Sequence, residues 1–121
     1  MPKRVENIIK AALGVFEKTT GIETIRQVEH LNDAIYPDGL VQIAHQNRQW
    51  HFVVEAKTRV TRAIAGIEKL DPIHHGEKTL LITEYLTPPI AEMLKDLDIF
   101  FIDTVGNAYI NEPPLYVFIK G

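Results

Sequence analysis

GLVQIAHQNRQWHFVVEAK, residues 39–57, holds two runs rich in Val, Ile, Phe and Trp on either side of the polar stretch Gln46-Asn47-Arg48-Gln49. Apolar, β-branched and aromatic runs around a short polar stretch predict a β-hairpin, with strands over 39–44 and 50–56. In the second run Phe52, Val53 and Val54 are consecutive and therefore occupy both faces, the pattern of a central strand. A two-residue loop at Asn47-Arg48 pairs Gln46 with Gln49, and a four-residue loop pairs His45 with Trp50; both give the same register. In that register Asp38 lies opposite Lys57, with Glu55 as its diagonal neighbour on the same face. Three ionisable groups then meet at one end of an otherwise apolar strand. Opposite and diagonal Cβ atoms are about 5 and 7 to 8 Å apart, so two carboxylates are within reach of one cation.

Outward from the hairpin, Val5, Ile8, Ile9, Ala12, Leu13 and Phe16 recur at helical spacing and Thr19-Thr20-Gly21 supplies a stop, which predicts a helix over 3–18. Residues 22–30 alternate as a strand. Val60, Ile64, Ile67 and Leu70 predict a second helix over 59–70, ended by Asp71-Pro72, with Arg59, Arg62 and Lys69 on its other face. Residues 79–83 read as a short buried strand. Thr87-Pro88 is an N-cap followed by a proline at the first position of a helix over 88–97. A strand over 99–102, a turn at Val105-Gly106-Asn107, and a closing strand pair over 108–110 and 115–119, separated by Pro113-Pro114, complete the chain. The order α-β-β-β-α-β-α-β-β-β predicts an α/β fold, a mixed β-sheet flanked by helices.

A chain of 121 residues, 45% hydrophobic and 24% charged, is the size of one domain spanning 1–121. The absence of cysteine excludes disulfides, thiolate zinc sites and cysteine nucleophiles, and suits a reducing cytoplasm. The N-terminus lacks the apolar core of a signal peptide and no stretch has the length of a membrane span, so a soluble, cytoplasmic protein with no membrane partner is expected. The net charge of -3 weighs against a generally basic nucleic-acid-binding surface. Positive charge nevertheless gathers around Arg48, Lys57, Arg59, Arg62 and Lys69, while the C-terminal half is acidic.

Pro37-Asp38, sixteen intervening residues, and then Glu55-Ala56-Lys57 resemble the PD-(D/E)xK signature of restriction-endonuclease-like enzymes, in place as well as in composition: a hairpin after an N-terminal helix. The resemblance implies a restriction-endonuclease-like fold and Mg²⁺-dependent hydrolysis of DNA phosphodiester bonds, leaving a 5′-phosphate and a 3′-hydroxyl, with Mn²⁺ as a substitute cation and a homodimer as the working form. It assigns the metal to Asp38, Glu55 and the Ala56 carbonyl, catalysis to Asp38, Glu55 and Lys57, and DNA phosphates to Arg59 and Arg62. Glu6 matches a position where some relatives contribute a further acid. A second segment, Phe101 to Ile110 together with Tyr116 to Gly121, resembles bacterial proteins associated with AbiEi-type antitoxins and transcriptional regulators, which implies a toxin or regulatory partner. Those proteins also carry a winged-helix domain that this sequence lacks.

Each assignment has a structural counterpart. Asp38 and Lys57 would form a cross-strand ion pair beside a solvated Glu55, Glu6 would favour the N-terminus of its helix, and Arg59 and Arg62 would line a solvated face. The five histidines form no metal-ligand spacing, and Trp50, Tyr36 and Phe52 suit a core better than base stacking. Three functions remain in competition: a metal-dependent nuclease, a non-catalytic DNA-binding or antitoxin-like module that keeps the fold, and an oligomerisation domain.

Overall fold

The computed structural model describes residues 3–27, 30–31, 34–35, 38–61, 73–74 and 77–121. Helix α1 (Lys3–Thr20) leads into strand β1 (Glu23–Gln27), two short paired strands β2 (His30–Leu31) and β3 (Ala34–Ile35), and the hairpin β4 (Leu40–His45) and β5 (Arg48–Lys57). After them come β6 (Ile73–His74), β7 (Glu77–Thr83), α2 (Pro88–Asp96), β8 (Phe100–Asp103), β9 (Ala108–Glu112) and β10 (Leu115–Ile119). The main sheet runs β1-β4-β5-β7-β8-β9-β10, with β6 paired to β7. β5, β7 and β8 are parallel neighbours and the remaining pairs are antiparallel, so the sheet is mixed, as the hairpin followed by strand and helix alternation predicts. No described helix is long and apolar enough to cross a membrane.

The hairpin register differs from the expected one by two residues. His45 pairs with Arg48 and Leu40 with Val53, because the turn is Gln46-Asn47, both at positive φ (51° and 63°). Two consecutive left-handed residues make the tight turn whose twist matches the strands it joins. Arg48, expected in the turn, begins β5 instead. The predicted second helix is also corrected at its start: residues 59–61 are not helical, and 62–70 lie outside the described residues, as does the strand end at 28–29.

Register and burial define the faces. Val41 and Ile43 of β4, Phe52 and Val54 of β5, Leu80 and Ile82 of β7, and Phe100 and Ile102 of β8 share one side and are all buried. Arg26 of β1 stands opposite Val41 and bonds Glu6 of α1, which places α1 on this side. Its Ile8, Ile9, Ala12, Leu13 and Phe16, the helical stripe of the sequence, enter the same core. Each large side chain so buried stabilises the fold by about 1.5–3 kcal/mol. β1 inverts the hydrophobic expectation: Ile25 is 51% exposed, while Arg26 faces α1.

At the carboxyl end of β8 lies a buried carboxylate. Asp103, 1% exposed, accepts hydrogen bonds from the backbone N–H groups of Leu86 (2.9 Å), Val105 (3.0 Å), Gly106 (3.0 Å) and Asn107 (2.9 Å), and from the Asn107 amide (2.7 Å). Gly106, at φ 113°, adopts the left-handed backbone that brings its N–H inward. Asn107 in turn donates to the Leu86 carbonyl (3.3 Å) and accepts from the Gly121 N–H (2.8 Å). The turn seen in the sequence is thus the junction of three segments.

α2 ends with Asp98 in the left-handed region (φ 56°), its N–H on Lys95 and the Ile99 N–H on Leu94, the double bond pattern that closes helices. The Asp98 carboxylate accepts the Tyr109 hydroxyl at 2.5 Å. Burial first, and then this bond, push the Tyr109 phenol up to about 12.

Two outcomes test this scaffold. Asp103→Ala leaves the buried N–H groups of Leu86 and Asn107 and the part-buried ones of Val105 and Gly106 without this acceptor and should lower unfolding free energy by about 3–4 kcal/mol, measured by urea denaturation. For Tyr109, the folded pKa lies above the unfolded value of about 10, so its contribution to stability is complete below pH 10 and is lost as pH rises to about 12. Tyr109→Phe should remove both this alkaline loss and the last tyrosinate step in an ultraviolet titration.

Candidate functional site

The carboxyl ends of the parallel strands gather the ionisable residues singled out in the sequence. Where β4 ends, Gly39 accepts the Val54 N–H at its carbonyl (2.9 Å), and one residue further out the chain turns away from β5. The Asp38 side chain then takes over the ladder: its Oδ2 accepts the Ala56 N–H at 2.9 Å. Gly39 is required there. At φ 92°, a Cβ on it would sit 2.5 Å from the Gln27 carbonyl oxygen.

Asp38 is held from its other side as well. Arg26, whose side chain is 12% exposed, donates through Nη2 to the Asp38 carbonyl at 3.2 Å and through Nη1 to Glu6. Sequence reading missed Arg26, because an arginine in an alternating strand reads as solvent-facing; the only signal was an acid, Glu6, on the helix that must cover that strand. Glu6 is accordingly the counter-ion of Arg26, and its hydrogen bond from Arg26 holds its carboxyl below the ordinary value of 4.5. It supports the Asp38 turn from behind.

Glu55 and Lys57, two residues apart on β5, emerge on the face opposite Phe52 and Val54. Lys57 Nζ lies 3.5 Å from Glu55 Oε1, with the side chains 37% and 27% exposed. This corrects the expected facing pair: with the register shifted, the extrapolated partner of Asp38 is Glu55 rather than Lys57, and the ion pair of Lys57 is with Glu55. The shift by two residues leaves Glu55 and Lys57 on the expected face, and Asp38 reaches the same strand end through its bond to the Ala56 N–H. Beside them Thr83 of β7 stands in register with Lys57, fully buried, its hydroxyl without a hydrogen-bond partner among the described residues. Arg59 follows in an exposed segment. Arg62 lies outside the described residues.

The donor set suits a hard cation. Two carboxylates and a backbone carbonyl are oxygen ligands of the kind Mg²⁺ takes alongside water and phosphate oxygens. One Asp38 oxygen is committed to Ala56, and Oδ1 makes no hydrogen bond within the described residues. Since the N–H and C=O of a strand residue point to the same edge, the Ala56 carbonyl faces the Asp38 side. Among the described residues no group of three or more His, Cys, Asp or Glu side chains is placed to hold a metal ion, so such a site would rest on these three donors and its substrate.

No family model, curated protein or solved structure matches the chain. Function is therefore read from the chemistry of the site alone.

The Glu6–Arg26 pair gives a test in acid. A carboxyl whose folded pKa is depressed adds stability above its unfolded pKa, and that stability is lost as pH falls through the folded value. Glu6→Gln should thus lower the urea midpoint at neutral pH and narrow its difference from the unaltered protein as pH falls below 4.5. The half-exposed setting keeps the effect modest.

Proposed function

We propose that this chain is a metal-dependent nuclease-like domain of the PD-(D/E)xK, restriction-endonuclease-like type, which hydrolyses DNA phosphodiester bonds. The observation that supports it most is the Asp38 carboxylate locked onto the Ala56 N–H beside Glu55 and Lys57, at the carboxyl end of the central strand. Asp38 and Glu55, with the Ala56 carbonyl, are the residues that would hold Mg²⁺ or Mn²⁺. When bound, the cation supplies Lewis-acid polarisation of the phosphate and a lowered pKa for coordinated water. The chain's own residues do the rest. Arg26 and Gly39 keep Asp38 in place, Lys57 orients the attacking water, and Arg59 offers an exposed guanidinium to the phosphate backbone. A homodimer would present two such sites to the two strands of a duplex.

The Glu55–Lys57 ion pair favours a second reading. A lysine neutralised by its own neighbour suits a non-catalytic, antitoxin-like DNA-binding module that keeps the fold and answers to a toxin or regulatory partner.

Cleavage of plasmid, single-stranded and branched DNA with Mg²⁺ or Mn²⁺ separates the two. Glu55→Gln should abolish cleavage and weaken metal affinity in calorimetry while leaving the thermal midpoint within a few degrees, since a solvent-accessible, part-exposed pair contributes only about 0–1 kcal/mol. Lys57→Ala should lose cleavage yet keep or raise metal affinity, because a competing positive charge has gone. Absence of metal binding by the unaltered protein at millimolar concentration, with and without DNA, would leave the regulatory module.

A further inference from the structure

Beyond Lys57 the carboxyl ends of β5 and β7 open into a crevice of about 770 Å³. Its walls include Arg4, Thr58, Arg59, Thr61, Tyr85 and Thr87, with Glu84 at one side. The Glu84 carboxylate is engaged by Arg4 at 3.3 Å, whereas Arg59 makes no ion pair with any described residue. Clefts outside the carboxyl ends of parallel strands are the usual ligand sites of open α/β sheets.

Tyr85 is the unusual element of this wall. It is 49% exposed, yet the backbone on both sides of it is tied by hydrogen bonds. Before it, the Glu84 carbonyl accepts both the Thr104 N–H (3.1 Å) and the Thr104 hydroxyl (2.6 Å). After it, Leu86 is buried, its N–H on the Asp103 carboxylate and its carbonyl on the Asn107 amide. A half-exposed aromatic ring on a backbone clamped fore and aft loses little conformational freedom when a flat ligand lies against it. Aromatic rings beside cationic groups in a groove are the device by which proteins hold unpaired bases, the ring stacking on the base and the cations following the phosphates.

We infer that Tyr85 is a stacking platform for an unpaired nucleobase, and that the crevice takes a single-stranded DNA segment whose backbone leads from Arg59 toward Lys57. The inference rests on the nuclease reading for the identity of the ligand as DNA. It deepens that reading by naming the substrate: DNA with unpaired nucleotides next to the scissile phosphate, as in a flap, a gap or a branch. In intact duplex the bases are stacked on one another and offer Tyr85 no face.

Binding measured in EDTA tests it independently of cleavage. Fluorescence anisotropy would compare a labelled oligothymidylate with a blunt hairpin duplex free of unpaired bases, with thymidine monophosphate as competitor. The unaltered protein should bind the single strand more tightly than the duplex, and the free nucleotide should compete only weakly. Tyr85→Ala should weaken single-strand binding by roughly 5- to 150-fold while duplex affinity stays within about two-fold, and Tyr85→Phe, which keeps the ring, should bind like the unaltered protein. Equal affinity of Tyr85→Ala and the unaltered protein for the single strand, an equal loss on duplex, or no binding of the single strand at all would overturn the inference. Cleavage by the Glu55→Gln variant is not involved, so a protein that stacks bases without cutting would retain this inference and lose the nuclease reading.

Discussion

A carboxylate removed from water must find donors for its lone pairs within the fold, and Asp103 finds five, four of them backbone N–H groups. The consequence reaches well beyond one turn. The donors belong to the β8–β9 turn and to the loop that joins β7 to α2, so a single buried charge fixes the spacing between consecutive strand ends. Asn107 extends the network to Gly121, closing the far side of the sheet onto the same point. Neutral side chains of similar size do not accept five bonds, and an unsatisfied N–H buried in their place would cost about 1–3 kcal/mol each.

Asp38 uses the same chemistry at the neighbouring edge. There the β4 backbone departs too early to satisfy β5, and an aspartate oxygen completes the ladder. A carboxylate serving as a backbone surrogate keeps a second oxygen for other work, which a main-chain carbonyl would not. Arg26 bridges the Asp38 carbonyl and Glu6, and Gly39 permits an approach that any Cβ would block. Both aspartates lie where the parallel strands end, so the residues with chemical potential stand on backbone that is held by hydrogen bonds rather than by loops alone.

Electrostatics at this edge are local. The chain is acidic overall, but much of its charge is paired: Arg4 with Glu84, Lys78 with Glu112, Lys120 with Glu92. Lys95 and Lys120 also lie over the Phe118 ring, so the basic side chains near β10 are engaged with an aromatic. Arg59 differs from these in having no ion pair among the described residues, and it follows the Glu55–Lys57 pair by two residues along the chain. A net negative charge is thereby compatible with a small region that meets an anion, because pairs separated by more than a Debye length contribute little there.

The amino-acid sequence by itself located α1, α2 and the longer strands, though not the start of the helix expected over 59–70 nor the short strands β2, β3 and β6. The stripe from Val5 to Phe16, the Thr87-Pro88 start of α2 and the consecutive apolar residues of β5 each encode their local structure in spacing alone. It also placed Asp38, Glu55 and Lys57 at one strand end, since a period of two assigns faces without knowledge of the partner. Register, however, is degenerate to such a pattern. Sliding β4 by two residues against β5 returns every side chain to its own face, so only the backbone of the turn, with Gln46 and Asn47 both at positive φ, selected the pairing and gave Lys57 to Glu55. The inward Arg26 beneath an outward Ile25, the five-donor shell of Asp103 and the clamped, exposed Tyr85 were likewise decided by tertiary structure. Each depends on a partner 17 to 20 residues away along the chain, Arg26 on Glu6, Leu86 on Asp103 and Thr104 on Glu84, and local periodicity carries no information about such distances.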